Sequence, residues 1–202
     1  MMTRVTCLGV TGEGARGYEE TMSQDWNATN APTAAFDSGA EHRLLNRWVG
    51  RWEGPTRTWF DPSGAPEESR TQARVEPLLG GRFVRWDYHS TAMGQPHAGQ
   101  LIVGFDVLEK QFTVAWVDSF HMSANMMVST GAPREDGRVS VLGSYAAGAC
   151  DEQGVTRSQR WGWRTVIHQP DADTLVLESF NISPEGHEDR AVETRLTRRR
   201  EA

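Results

Sequence analysis

From residue 51 onward, apolar residues recur at every second position. That period suits a strand with one buried face, and the runs are rich in β-branched and aromatic residues. It predicts strands over 51–60, 69–76, 82–89, 98–105, 111–120, 123–130, 138–145, 157–167, 174–181 and 190–198. Turn-forming clusters separate them: DPSGAPEE, PLLGG, STAMGQP, DVLEK, GAPREDG, AAGACDEQG, HQPDAD and SPEGHE. Most of these links are shorter than the dozen residues a parallel crossover needs. An antiparallel meander of about ten strands follows. Left open, it would expose two strand edges. Closure into a barrel removes them, and a barrel of this size can enclose a small ligand.

Upstream the pattern changes. Leu44, Leu45 and Trp48 share one face of a helix of about three turns. Ser38-x-x-Glu41 reads as its capping box, and Gly50 as the residue that ends it. This helix is expected to plug the barrel. Residues 1–37 are rich in Gly, Thr, Asn, Asp, Glu and Ala and hold no period, so they are read as a disordered leader. The barrel domain is then 38–202, all-β apart from the plug.

Composition narrows the class. With 38% hydrophobic and 24% charged residues, the 202-residue chain suits one soluble domain with a sizeable core. Eight tryptophans are many for this length, and tryptophan favours cores and ligand walls. A net charge of −6 argues against nucleic acid as a partner, because phosphate binding needs a basic surface. The closing Arg198-Arg199-Arg200 is too short to reverse that. Of 21 basic residues only Lys110 is a lysine, a bias that suggests a GC-rich bacterial genome. Cys7 and Cys150 form neither a disulfide framework nor a zinc motif, which fits a reducing cytoplasm. No apolar run reaches the ~18 residues of a membrane helix. VTCLGV near the start is too short for a signal-peptide core.

Several segments together resemble a known family. Gly50-Arg51-Trp52 after a short helix is similar to the Gly-x-Trp signature of lipocalin-like (calycin) barrels. The runs EHRLLNRWVGRWEG (41–54), LLGGRFV (78–84), GQPHAGQLIVGFD (94–106), FTVAWVDS (112–119) and AVETRLTRR (191–199) resemble a bacterial family of lipocalin-like domains of unknown function. The resemblance covers about residues 40–199. It implies that Trp52 crosses the barrel floor under an arginine from the last strand, Arg195 or Arg198. It implies a fold more firmly than an activity.

Candidate chemistry centres on FTVAWVDSFHM (112–122). As a strand it puts Phe112, Val114, Trp116, Asp118 and Phe120 on one face, an acid within an apolar stripe. Such a carboxylate either pairs or changes its protonation. It is expected to face inward beside Trp116, where it orients a ligand or acts as a general base; the alternative is that it ends the strand and accepts turn amides or pairs with an arginine. Glu178 and Glu193 are the second candidates. A turn centred at Glu185–Gly186 pairs positions that sum to 371, which sets these two side by side. Either face of that hairpin suits the interior, so they form an acid/base pair or a surface pair neutralised by Arg195. Trp86 with Tyr88, and Trp161 with Trp163, offer aromatic walls. His89 and His42 join them as ligand-binding candidates; His42 either faces the cavity mouth or, the favoured reading, caps or packs the helix. The histidines show no metal-ligand spacing, and no haem axial ligand stands out. Ser119 lacks a nucleophile elbow. No metal and no cofactor is expected.

The favoured function is small-molecule (metabolite) binding in the barrel. Two alternatives stay open. One is a cofactor-independent enzyme of secondary metabolism, performing cyclisation, elimination or isomerisation with Asp118, Glu178 and Glu193 as acid and base. The other is a structural or interaction subunit, forming a homodimer or pairing with a related barrel. Neither nucleic acid nor membrane is expected as a partner.

Overall fold

The computed structural model describes residues 39–121, 125–150 and 156–200. The leader expected over 1–37 lies outside them. Helix α1 (Ala40–Arg47) comes first, two turns long rather than three. Gly39 occupies its N-cap position without a side-chain cap, and Ser38 lies outside the described residues. Ten described strands follow: β1 (Gly50–Thr58), β2 (Glu67–Leu78), β3 (Phe83–Ala92), β4 (Gln95–Asp106), β5 (Gln111–Asp118), β6 (Met127–Gly131), β7 (Val139–Cys150), β8 (Thr156–Asp171), β9 (Thr174–Ile182) and β10 (Glu188–Arg199). Every neighbouring pair is antiparallel, and β10 returns to β1 to close a barrel. The predicted all-β meander therefore holds, strand for strand, with ends displaced by a few residues.

The strand directions sort the turns into two ends. The β2–β3, β4–β5, β6–β7 and β8–β9 turns lie at the floor with α1. The other turns form the mouth. At the floor, Leu45 of α1 and Trp48 at its C-cap are fully buried in a cluster with Trp52, Phe112, Val139, Leu175 and Leu196. Trp52 donates its indole hydrogen to the Trp48 carbonyl at 2.8 Å. Arg198, not Arg195, lies over the Trp52 ring, 4.0 Å from its centre. Its guanidinium also donates to the carbonyls of Val49 and Arg47, tying the last strand to the helix. Gly50 opens β1 rather than ending the helix. Its φ of 145° suits glycine, and a Cβ there would stand 2.5 Å from the Arg198 guanidinium.

The β9–β10 register pairs Glu178 with Glu193, as the turn spacing predicts. A bulge at Arg190–Val192 shifts the register nearer the mouth. Among the described residues no helix is long and apolar enough to cross a membrane.

Candidate functional site

The inward-facing residues change in character from floor to mouth along each strand. On β1 they run Trp52, Gly54, Thr56, Thr58. On β3 they run Val84, Trp86, Tyr88, Ser90, and on β10 Leu196, Thr194, Val192. The mouth half encloses a cavity of about 70 Å³. That is room for several waters or one ring-sized group, less than the few hundred Å³ of a pocket that swallows a drug-sized molecule. One side of the lining is aromatic: Trp86, Tyr88, Trp116, Trp163, His97 and His121. The other carries hydroxyls, among them Thr56, Thr71, Ser90 and Thr194. Among the described residues no Asp, Glu, Lys or Arg lines it.

Asp118 ends β5, and the strand does not continue to Phe120 as predicted. Instead the carboxylate turns the chain. Its Oδ1 accepts the backbone hydrogens of Phe120 at 3.1 Å and His121 at 2.6 Å, the local bonding that makes Asp a turn residue. Ser119 pins the start of the turn to β4: its amide donates to the Ala98 carbonyl, and its hydroxyl accepts the Ala98 amide. This brings the His121 ring back over the cavity, with Nδ1 2.7 Å from Asp118 Oδ2. The Asp118 side chain is fully buried behind that ring, next to the lining rather than part of it.

Two further groups join the network. The Trp116 indole donates to the Tyr88 hydroxyl at 3.0 Å, and Tyr88 donates to Asp118 Oδ2 at 3.4 Å. Burial pushes the Tyr88 phenol well above its ordinary pKa, and the Asp118 charge adds to that. Tyr88 therefore stays protonated and acts as a donor. The phenol reaches Asp118 across Gly99, its register partner. A Cβ at Gly99 would stand 2.3 Å from the Tyr88 oxygen. Trp116 stacks on Trp163 at 5.5 Å and 21°. The His97 ring meets Tyr88, Phe120 and His121 edge-on or tilted. Burial holds the His97 pKa below its ordinary value; Asp118 opposes this and His121 reinforces it.

On the opposite wall the hydroxyls bond one another. Thr56 lies 2.6 Å from Thr71 and 2.9 Å from Thr194, and Thr71 donates to Ser90 at 3.0 Å. Each hydroxyl has a single hydrogen. With that of Thr71 given to Ser90, Thr56 must donate to Thr71 and Thr194 to Thr56. The chain Thr194→Thr56→Thr71→Ser90 thus has one direction.

The structure gathers Trp86, Tyr88, Trp116 and Trp163 of the predicted residues around the cavity, with Asp118 directly behind it. Others go elsewhere. Glu178 and Glu193 face outward because β9 and β10 turn Leu175, Leu177, Val192 and Leu196 inward. Arg190 pairs with both, and Arg57 with Glu193, so the neutralising cations are not Arg195. His89 is exposed on the outer face of β3 beside the Arg85–Asp87 ion pair. Trp161 is half-buried and outside the lining. His42 sits at the floor, buried edge-on against Phe105, not at the mouth.

His121 is the residue sequence reasoning passed over. It lies beyond the strand, where a period-two reading says nothing. The signal available was Asp-x-x-His at a turn, which lets one carboxylate hold both the backbone and the ring. Among the described residues no group of three or more His, Cys, Asp or Glu could hold a metal ion.

The model of the family described as "Protein of unknown function (DUF1579)" matches residues 37–198. No curated protein matches. Among solved structures, Rv2717c from M. tuberculosis is similar at 15% identity and a TM-score of 0.55, over 81% of this chain and 100% of that one. The S-type phycobiliprotein lyase CPES from Guillardia theta is similar at 12% identity and a TM-score of 0.51, over 82% and 96%. At these identities the likeness concerns the fold.

Proposed function

The chain belongs to the DUF1579 family of proteins of unknown function, with the lipocalin-like barrel described above, and we propose that its mouth-side cavity binds a small molecule. One observation carries this reading. The lining combines an aromatic wall and a hydroxyl wall with no Asp, Glu, Lys or Arg among the described residues, and the His121 ring, held by the buried Asp118 carboxylate, stands at its edge. Such a lining suits a compact ligand with few polar atoms. A core built only for stability would fill this space with apolar side chains, as the floor does. Native mass spectrometry of freshly purified protein tests the proposal. A retained small mass, lost on mild unfolding, is the expected result. A clean apo mass, together with no thermal shift across a panel of ring compounds, would count against it.

The Asp118–His121 geometry favours one second reading, a cofactor-independent enzyme using proton transfer. A carboxylate on Nδ1 fixes the imidazole tautomer and leaves Nε2 as a base. Asp118→Asn separates the two readings. A catalyst keeps much of its ligand affinity and loses turnover. A carrier loses affinity and has no turnover to lose. In the catalytic reading Asp118 is a positioning residue and His121 touches the substrate. Glu178 and Glu193, on the outer wall, have no part in it.

A further inference from the structure

The geometry points to a ligand class: an uncharged single-ring compound bearing an acidic O–H, a phenol or cyclic enol, which donates its hydrogen to Nε2 of His121. This rests on the cavity being a ligand site and narrows what that site takes.

Charge is the first ground. Among the described residues, no lining side chain is Asp, Glu, Lys or Arg. A carboxylate or phosphate ligand would lose its water, find no Lys or Arg among the described lining residues, and lie near the buried Asp118 carboxylate. An ammonium ligand fares little better. Asp118 stands behind His121 and Tyr88, and its oxygens already accept hydrogens from Phe120, His121 and Tyr88. The hydroxyl wall can solvate a neutral polar group but cannot neutralise an ion.

The tautomer of His121 is the second. A carboxylate oxygen 2.7 Å from Nδ1 can only accept, so Nδ1 carries the hydrogen. In the neutral ring Nε2 is then a lone-pair acceptor, and no group among the described residues donates to it. A ligand that displaces water from it supplies that donor. The carboxylate behind the ring polarises it and makes Nε2 a stronger acceptor. An acidic O–H gains most from such a partner.

Shape is the third. Trp116 and Trp163 are nearly parallel, Trp116 and His121 lie 5.6 Å apart, and Tyr88 and Trp86 extend the aromatic wall. A flat ring matches this wall better than a branched aliphatic alcohol does. The volume of about 70 Å³ limits the enclosed part to one ring. Any further substituent must project through the mouth.

The test uses the full chain at neutral pH and isothermal titration with phenol, anisole and benzoate. Anisole keeps the ring and oxygen but has no hydrogen to donate. Phenol should bind about tenfold more tightly than either, the worth of one good hydrogen bond. His121→Phe, which keeps a ring and removes the acceptor, should abolish that preference while anisole binding persists. Asp118→Asn should reduce it, with near-UV circular dichroism confirming an intact aromatic core in both variants. Anisole or benzoate binding as tightly as phenol overturns the ligand class but leaves the cavity as a binding site. A phenol preference that survives His121→Phe overturns the role of His121. If none of the rings binds, both the ligand class and the cavity reading fall.

Discussion

The two ends of the barrel interior are built from the same strands with opposite chemistry. At the floor, inward residues are Trp48, Trp52, Phe112, Ile167, Leu175 and Leu196, all essentially inaccessible to water. At the mouth, one or two pleats further on, the same strands present Thr56, Ser179, Thr194, Tyr88 and Trp163 around a cavity. The floor maximises buried apolar contact and lays the Arg198 guanidinium over Trp52. The mouth gives up packing for hydrogen-bonding groups that answer one another. Stability therefore resides mainly at one end and recognition at the other, so a substitution can damage one without the other.

The largest expected effect comes from truncating a floor tryptophan. Trp52→Ala removes a fully buried ring, its bond to Trp48 and the seat of Arg198. A loss of about 3–5 kcal/mol is expected by urea denaturation. Trp163→Ala, at the mouth, enlarges a space that is already open, so its cost should fall within about 1–3 kcal/mol while ring binding collapses. Equal stability losses for the two would erase the proposed division.

Gly99→Ala comes next. The new methyl would overlap the Tyr88 phenol, whose oxygen and Cζ would lie 2.3 and 2.4 Å away. Tyr88 must then leave Asp118. A cost of about 1–3 kcal/mol is expected from overpacking, with a larger proportional loss in ligand affinity. A Tyr88→Phe change should have a milder effect, because it removes the hydrogen bonds without moving the ring. If Gly99→Ala leaves binding intact, the Tyr88–Asp118 contact does not shape the site.

Thr56→Val is smaller still. It cuts the hydroxyl chain at its middle with little change in shape. Thr71 keeps its bond to Ser90, and Thr194 loses its acceptor. About 1 kcal/mol is expected, measured by the urea midpoint, since one buried donor is left without a partner. A Val at this position that raises stability would mean the chain is maintained for recognition at a structural cost.

Much of this division was legible in the sequence, but unevenly. The meander, the closing strand and the Glu178–Glu193 register follow from period-two patterning and turn chemistry, which are local. The face that β9 and β10 bury is not local. Val176 and Phe180 accompany the glutamates on one side, and Leu175 and Leu177 stand on the other. Only closure of the whole barrel decides between them, because it brings Leu175 against Trp52 and Leu196. The hydroxyl wall escaped notice for a different reason. Thr and Ser are unremarkable in strands, and their meaning appears only when four strands align them at one level. Asp118 stood out because an acid in an apolar stripe is anomalous. His121 did not, since its ring reaches the cavity by a turn that no periodicity describes.

The smallest effect expected concerns protons, and it also separates the two ends. Burial is the main cause that holds His42 at the floor, His97 at the mouth and His168 on the outer wall below the ordinary histidine pKa. For His42, Glu41 opposes the shift and Arg82 adds to it. For His168, Arg138 and Arg195 add to it, and Glu178 and Asp136 oppose it. In the unfolded chain these rings take up protons near pH ~6.5. Just below that pH the unfolded state binds more protons than the folded one, so stability rises with pH. Their contribution is full above pH ~6.5 and is lost as the pH falls through the lowered folded values. The melting temperature should therefore drop between pH 7 and 5.5. His42→Gln and His97→Gln should each flatten part of that slope, but of the two only His97→Gln should also change ring binding, because His97 lines the cavity and His42 does not. A melting temperature that rises on acidification would contradict the burial of these rings, and altered ring binding in His42→Gln would couple the two ends that the packing keeps apart.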